Sequence, residues 1–568
     1  MGDEASPLPG DAARSAPDPL AASRVRMLIH WPFAHFRRRG TTLADPLLDS
    51  YEAVPYDSYP IAASEIGALE AVALLFGVVA PPAHRARVLE LGCASGANLI
   101  AMAHRYPEAT FVGIDLTPGQ IALGQKEVAD LGFENITLHA MSISDVTDAF
   151  GTFDYVICHG VYSWVPVDVQ EAILRVASRN LRATGIAYIS YNTFPGWHVR
   201  GMVRDMVMYH DDQTLSPHDR IARANAFIGL IAEHGGTPTT PHTAAVAEEA
   251  MNLKAQTAAH FLHEQLEPYN SPVYFSEFVR RAATRKLRFL CEAKLADRAT
   301  IPPDWAKRAA GADAGIVRVQ QYVDFAIGRT FRRSLLCHDN VVGLTEPTPE
   351  AVSALHVALR AVPATPSDED SAKSADVESF RSSTGATMTT NNPLLLAALH
   401  VLERIAPSSL PFSELLQRVN DRLSVNEPPG IPVPSGRAAP LSNVLLQCAF
   451  GGFVELHRYP SAFTRIVAER PVASRIARHV QPSVSVVPNL RHVMVQLTVI
   501  ERAILCDLDG AHDRAQLVDR IIERLNAGEI VAEGPRPDRT ELVEAVNVAL
   551  ERLASIALLE PAHTPSTP

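Results

Sequence analysis

The chain has 568 residues, 47% of them hydrophobic and 20% charged, with a formal net charge of -12. That leaves room for three or four domains of soluble globular composition, and the acidic excess argues against a surface that tracks nucleic-acid phosphates. The six cysteines form no Cys-x-x-Cys pair and the histidines no metal-ligand grouping, so reduced thiols in the cytoplasm and no metal are expected.

Residues 1–45 read as a flexible extension. Up to residue 23 it is rich in Pro, Ala, Asp and Ser, and beyond that Arg24, Arg26, Arg37, Arg38 and Arg39 flank Trp31, Phe33 and Phe36, a composition suited to a membrane surface or an acidic partner. A tyrosine and proline stretch, 51–60, precedes an apolar helix at 61–79. Glu65 and Glu70 interrupt that helix, and no stretch reaches the roughly 18 apolar residues of a membrane span.

From residue 86 strands and helices alternate. Strands are expected at 87–91, 110–115, 136–140, 153–158 and 186–191, with helices at 97–105, 117–131 and 168–181. This pattern implies a parallel Rossmann-like sheet covered on both faces, with the ligand at the carboxyl ends of the strands.

The first strand runs into Glu90-Leu-Gly92-Cys-Ala-Ser-Gly96-Ala-Asn98. The spacing is acidic-x-Gly-x-x-x-Gly, which is neither the dinucleotide fingerprint nor a nucleotide phosphate loop. An acidic residue before the glycines suits a ligand with a cationic amino-acid end, and S-adenosylmethionine has one. Glycines at 92 and 96 allow close approach of ligand and helix. Asp115, closing the second strand, is placed to accept ribose hydroxyls, and Met141 to Ile143 to meet the adenine. The candidate cofactor residues are thus Glu90, Gly92, Cys93, Ala94, Ser95, Gly96, Asn98, Asp115, Leu116, Ser142, Ile143 and His159. The loops after the fourth and fifth strands, His159 to Trp164 and Asn192 to His198, face the methyl acceptor. Tyr162, Tyr191 and Asn192 are the candidate catalytic residues, and Tyr56, Trp164, Trp197 and His198 the candidate acceptor contacts.

Residues 46–210 are expected to form the Rossmann-like cofactor-binding core. A middle region, 211–345, holds a helical insertion at 211–274 and the last core strands near 287–291 and 331–337. Residues 346–390 have linker composition. The remainder, 391–563, carries two runs of short helices ending in a strand, at 394–456 and 499–559, an α+β winged-helix-like arrangement whose helices lack the basic density of a DNA reader.

Three segments together carry a resemblance: Val88 to Asn98, His159 to Pro166 and Ser190 to His198, supported by Leu262-His263-Glu264, Tyr269-Asn270, Leu335 to His338, Asn489 to His492 and Asp509-Gly510. With them the chain resembles the bacterial class I methyltransferases that carry a methyltransferase regulatory domain. The resemblance implies S-adenosylmethionine as cofactor and lysines of outer-membrane proteins as acceptors. It carries Gly92, Ser95, Gly96 and Asp115 over to the cofactor and Tyr162, Trp164, Tyr191 and Asn192 to the acceptor side. The chain departs from the relatives at 61–66, where Ile-Ala-Ala-Ser-Glu-Ile replaces a Pro-Gln-Ser/Thr-like sequence. A protein lysine methyltransferase is the leading reading. A small-molecule N- or O-methyltransferase is its rival in chemistry, and a cofactor-binding scaffold without turnover its rival in class. Oligomeric state is left open, and neither nucleic acid nor a transmembrane segment is expected.

Overall fold

The computed structural model describes residues 46–561 except 235–239, 298–302, 312, 365–376, 383, 425–435, 480–483 and 532–535. The basic aromatic segment at 24–39 lies outside the described residues.

The core sheet has eight strands: β1 (Arg87–Leu91), β2 (Thr110–Asp115), β3 (Ile136–Ala140), β4 (Phe153–Cys158), β5 (Leu181–Phe194), β6 (Val273–Tyr274), β7 (Leu287–Glu292) and β8 (Phe331–His338). Their order is β3-β2-β1-β4-β5-β8-β7, with β6 paired to the end of β5. β1 to β5 run parallel, and β8 runs antiparallel between β5 and β7. The order reverses between β1 and β4, and an open parallel sheet binds its ligand at such a reversal.

Local sequence explains the helix ends. Pro118 opens the helix Pro118–Leu131, and Gly132, at φ 62, closes it in the left-handed conformation. The apolar helix expected at 61–79 is shorter. One 3-10 turn, Ala62–Ser64, is followed by Ile66–Leu75, whose first N–H groups are capped by the Glu65 carboxylate. Glu70, the other interrupting acid, accepts bonds from Ala83 N, Arg458 Nε and Tyr459 OH. No described helix is long and apolar enough to cross a membrane.

The helical insertion starts directly after β5, with Gly196–His210, earlier than the expected 211. Pro217–His234, Pro241–Lys254 and Ala258–Phe261 follow, and a π-helical turn, Leu262–Leu266, ends it before β6.

The largest correction concerns 346–390, read as a linker. It holds a 3-10 helix (Pro349–Ala354) and four strands, β9 (His356–Leu359), β10 (Ala361–Ala364), β11 (Glu378–Ser382) and β12 (Thr387–Thr390). β9 is the central strand of a sheet with β13 (Ser409–Pro411) and β14 (Val454–His457). Its short Val357-Ala358-Leu359 run is buried, and too few residues carry the pattern for composition to reveal it. β12 is half exposed and polar, a strand that low apolar content disguises. The helices Pro393–Glu403 and Phe412–Ser424 pack on β9 and Ala438–Phe450 packs on the 3-10 helix and β14, and their core is continuous with that of the methyltransferase sheet. A second unit has its own core, from β15 (Val486–Pro488), β16 (Met494–Gln496) and the helices Val499–Leu505, Arg514–Ala527 and Arg539–Ser555.

Candidate functional site

Three residues of the β1 loop have left-handed backbones: Gly92 (φ 74), Ala94 (φ 50) and Gly96 (φ 82). The loop is fixed from below. Gly92 N and Cys93 N both donate to Ile114 O, at 2.8 and 3.0 Å, and Ala94 N donates to Asp115 Oδ2 at 2.8 Å. A Cβ on Gly92 would lie 2.4 Å from Val161 in the loop after β4. Glycine is therefore required here both for φ and for the approach of the two loops.

Glu90, at the end of β1, is 3% exposed. Its Oε1 accepts from Asn98 Nδ2 at 2.7 Å, and its Oε2 has no hydrogen-bond partner among the described residues. Burial, with the Asp115 charge nearby, pushes its pKa up to about 8. A buried carboxylate oxygen without a partner is costly unless a cation meets it. Beside a glycine loop open to a ligand, it fits the ammonium of an amino-acid end, the feature that S-adenosylmethionine brings.

The other candidate cofactor residues divide by what their side chains already do. Asp115 Oδ1 accepts from Thr117 N and Oγ, at 2.9 and 2.7 Å, which leaves Oδ2 the freer oxygen for a ribose hydroxyl. Leu116 is 39% exposed beside it, an apolar face for a base. Ser95 is half-buried. Cys93 and Ile143 are buried in the two faces of the core, which leaves their backbone to a ligand, while Ser142 Oγ accepts from Ser144 N and keeps its O–H to donate. Asn98 is scaffold: it holds Glu90, Ser64 and Ile61. His159 Nδ1 lies 2.8 Å from Tyr188 OH, and burial pulls its pKa down to about 3, so it is a neutral wall of the site.

On the acceptor side, two of the expected residues are buried in the core. Tyr191 is 1% exposed, stacked on Phe278 at 3.9 Å with its hydroxyl 3.0 Å from Ser334 Oγ. Tyr162 is fully buried against Tyr191 and Phe278, its hydroxyl beside Arg281. Both point into the core face that carries Leu89, Leu91 and Ile189. The Tyr191 hydroxyl is taken up by Ser334, the Tyr162 hydroxyl is buried without a hydrogen-bond partner among the described residues, and both side chains lie on the face opposite Glu90. Side chains alternate along β5, so Asn192 takes the opposite face, that of Glu90 and His159. Its Nδ2 donates to Asn270 Oδ1 at 3.2 Å, and its backbone N–H to Ser163 Oγ at 2.9 Å.

Aromatic side chains cluster in the segments that follow β4 and β5. Trp164 meets Trp197 edge to face at 5.9 Å; Trp197 itself is buried, and its indole N–H has no partner among the described residues. His198 is exposed, stacked on Phe194 at 4.2 Å, with Nε2 3.2 Å from Tyr274 OH.

A strap formed by residues 50–61 crosses from the insertion to the cofactor loops. Tyr56 OH meets His260 Nδ1 at 2.9 Å, and the Tyr56 carbonyl accepts from Gln120. Val54 O lies 2.7 Å from His263 Nε2, and Tyr51 stacks on that imidazole at 4.1 Å. At the other end Glu52 accepts from Gly119 N and Ser58 from Ala97 N. Sequence reasoning missed Glu52, Ser58, Gln120, His260, His263 and Asn270 as parts of the site. The tyrosine and proline stretch, Leu262-His263-Glu264 and the Tyr269-Asn270 pair hinted at them. Among the described residues no cluster could hold a metal ion.

Three families match this chain: "Methyltransferase domain" over 88–185, "Predicted methyltransferase regulatory domain" over 257–338, and "PKMT, C-terminal winged helix domain" over 469–558. An uncharacterized protein of Rickettsia prowazekii, RP789, is 32% identical over 533 residues, 91% of this chain and 94% of that one. A second from the same organism, RP028, is 36% identical over 241 residues, 42% of this chain and 96% of its own. The structure of PKMT2 from Rickettsia typhi in complex with AdoHcy is similar with a TM-score of 0.77 at 27% identity, covering 89% of this chain and all of that one. The chain belongs to the class I S-adenosylmethionine-dependent methyltransferases that carry a methyltransferase regulatory domain and a PKMT C-terminal winged helix domain.

Proposed function

We propose that this methyltransferase acts on lysine side chains of a protein. The observation that carries this reading is the extent of the likeness to PKMT2, which takes in the insertion and the C-terminal units and not the cofactor-binding core alone.

S-adenosylmethionine supplies an electrophilic methyl group whose transfer releases a neutral thioether, so the chain's work is binding, orientation and exclusion of water. Glu90 would hold the cofactor's ammonium, the Gly92 to Gly96 loop its body, Asp115 the ribose and Leu116 the base. A lysine amine, with an unperturbed pKa of about 10.4, must enter deprotonated. The aromatic rim of Trp164, Trp197, Phe194 and Tyr274 disfavours the ammonium form as it displaces water. Asn192, held by Asn270, orients the amine lone pair through its carboxamide oxygen, and Tyr56, tied to His260, closes the strap over the entry.

The test is incubation of the full chain with methyl-labelled cofactor and a panel of lysine-containing proteins, followed by mass spectrometry of the digested products. Label on lysine Nζ is expected. Label confined to carboxylates or to low-molecular-weight acceptors overturns the reading.

A further inference from the structure

One side chain from the distal C-terminal unit reaches the layer beneath the cofactor loop. His492 is buried, and its Nε2 lies 3.2 Å from Oδ1 of Asn98. The other partners of Asn98 fix the direction of that bond. Ile61 N donates to Oδ1 at 2.9 Å, while Nδ2 donates to Ser64 Oγ at 3.1 Å and to Glu90 Oε1 at 2.7 Å. The atom facing His492 is therefore a carbonyl oxygen, and the imidazole is the donor, as the Nε2–H tautomer.

The imidazole is held in place. His492 adopts φ 60 in a turn where Asn489 Oδ1 accepts from Arg491 N and Val493 N, and Asn489 Nδ2 donates to Ile556 O at 2.9 Å. Leu490 N donates to Ala557 O, and Arg491 pairs with Glu455 of β14 at 2.9 Å. Two C-terminal units thus anchor a left-handed residue whose side chain leaves them for the methyltransferase core. Glu65 and Arg105 face the ring from that core with opposing charges, and burial keeps it neutral, its pKa lowered to about 4.

We propose that His492 is a positioning residue of the cofactor site: by holding the Asn98 carboxamide it makes Glu90 present its free oxygen to the cationic amino-acid end of S-adenosylmethionine. The C-terminal unit is then part of the cofactor site and not an appended module. The inference rests on the reading of Glu90 given above. Asn98 makes four hydrogen bonds, two at each end of its amide, and loss of the His492 bond leaves its oxygen with Ile61 N alone and loosens the amide's hold on Glu90.

The experiment is calorimetric titration of the full chain with S-adenosylmethionine and with 5′-methylthioadenosine, which keeps the nucleoside and sulfur and lacks the amino-acid end. His492→Ala is expected to weaken S-adenosylmethionine about tenfold, the scale of one buried hydrogen bond, and to leave methylthioadenosine unchanged. His492→Gln, which can place an amide N–H near the same point, should recover most of the loss. In a Glu90→Gln background His492→Ala should have no further effect. Equal weakening of both ligands would mark general damage to the fold and overturn the proposal, as would an unchanged S-adenosylmethionine affinity in His492→Ala. If Glu90→Gln itself leaves that affinity intact, the reading of Glu90 fails; if only His492→Ala does, the positioning role alone fails.

Discussion

The two sides of the site are built by different means. The residues that meet the ligand on the cofactor side lie mostly within one stretch, Glu90 to Thr117, where glycines set left-handed turns and backbone bonds to Ile114 and Asp115 lock the loop. The acceptor side is assembled from distant pieces: Asn192 and Asn270 are 78 residues apart, Tyr56 and His260 204. A nucleoside ligand is held largely by backbone conformation, which local sequence dictates. An acceptor channel is a set of walls, which only tertiary packing brings together.

Breaking the cofactor side at its backbone has the largest expected effect. Gly92→Ala forces a side chain into a left-handed φ and against Val161, so cofactor binding should be abolished and the protein destabilised by about 2 kcal/mol or more. Calorimetric titration and thermal melts read both. A melt unchanged from the parent would mean that the β1 and β4 loops move apart more freely than their contact suggests.

Glu90→Gln sharpens the same side. It should weaken S-adenosylmethionine by on the order of tenfold to a hundredfold through loss of a buried charge-assisted bond. The ligand-free protein should respond in the opposite sense. With a folded pKa near 8 against 4.5 unfolded, Glu90 binds its proton more tightly in the folded state. Its contribution to stability therefore falls as pH rises from about 4.5 to about 8, at a cost on the order of 3 kcal/mol by neutral pH. Melts of the ligand-free Gln variant should exceed the parent at pH 8 and converge with it near pH 4. In the parent, affinity should tighten from pH 6 towards pH 8, and the variant should lose that slope.

The contrast between the sides also decides what the sequence could disclose. Val88 to Asn98 yields its strand, turn and helix from periodicity and glycines alone, and Asp115 follows from the end of the next apolar run. The alternation through β5 is equally legible, since buried parallel strands are continuous apolar runs, and the apolar runs of β7 and β8 mark the last strands without disclosing that β8 runs antiparallel. β9 was not, because three buried residues amid linker-like sequence carry no period. The strap partners His260 and His263 were not, because nothing local distinguishes a histidine that stacks on a tyrosine some 200 positions away from one that does not. The facing of Tyr162 and Tyr191 was not legible for a related reason: a motif fixes which residue follows a strand, and the facing of its side chain depends on the register of the whole sheet.

Asn192→Ala probes the acceptor side alone. Cofactor affinity should stay within about twofold, while kcat falls by on the order of tenfold to a hundredfold through lost orientation of the amine. Steady-state kinetics at saturating cofactor, beside the titration, separates the two. A comparable loss of cofactor affinity would mean that the sides are coupled through Ser163, which accepts the Asn192 backbone N–H.

The smallest effect is expected where the sequence motif made the strongest chemical suggestion. Tyr191 ends a buried polar chain: its hydroxyl meets Ser334, Ser334 donates to Glu292 at 3.2 Å, and Glu292 pairs with Arg332, which also pairs with Asp324. The Arg332 guanidinium lies 3.7 Å over the Phe275 ring. Each member is satisfied by the next, so the tyrosine hydroxyl caps a network that ties β5 to β7 and β8. Tyr191→Phe removes one hydrogen bond and leaves the Phe278 stack in place, and Ser334 keeps its bond to Glu292. Stability should fall by about 1 kcal/mol and kcat should stay within about twofold. A large fall in kcat with an unchanged melting temperature would return Tyr191 to the acceptor, and would require the hydroxyl to leave Ser334 when substrate binds.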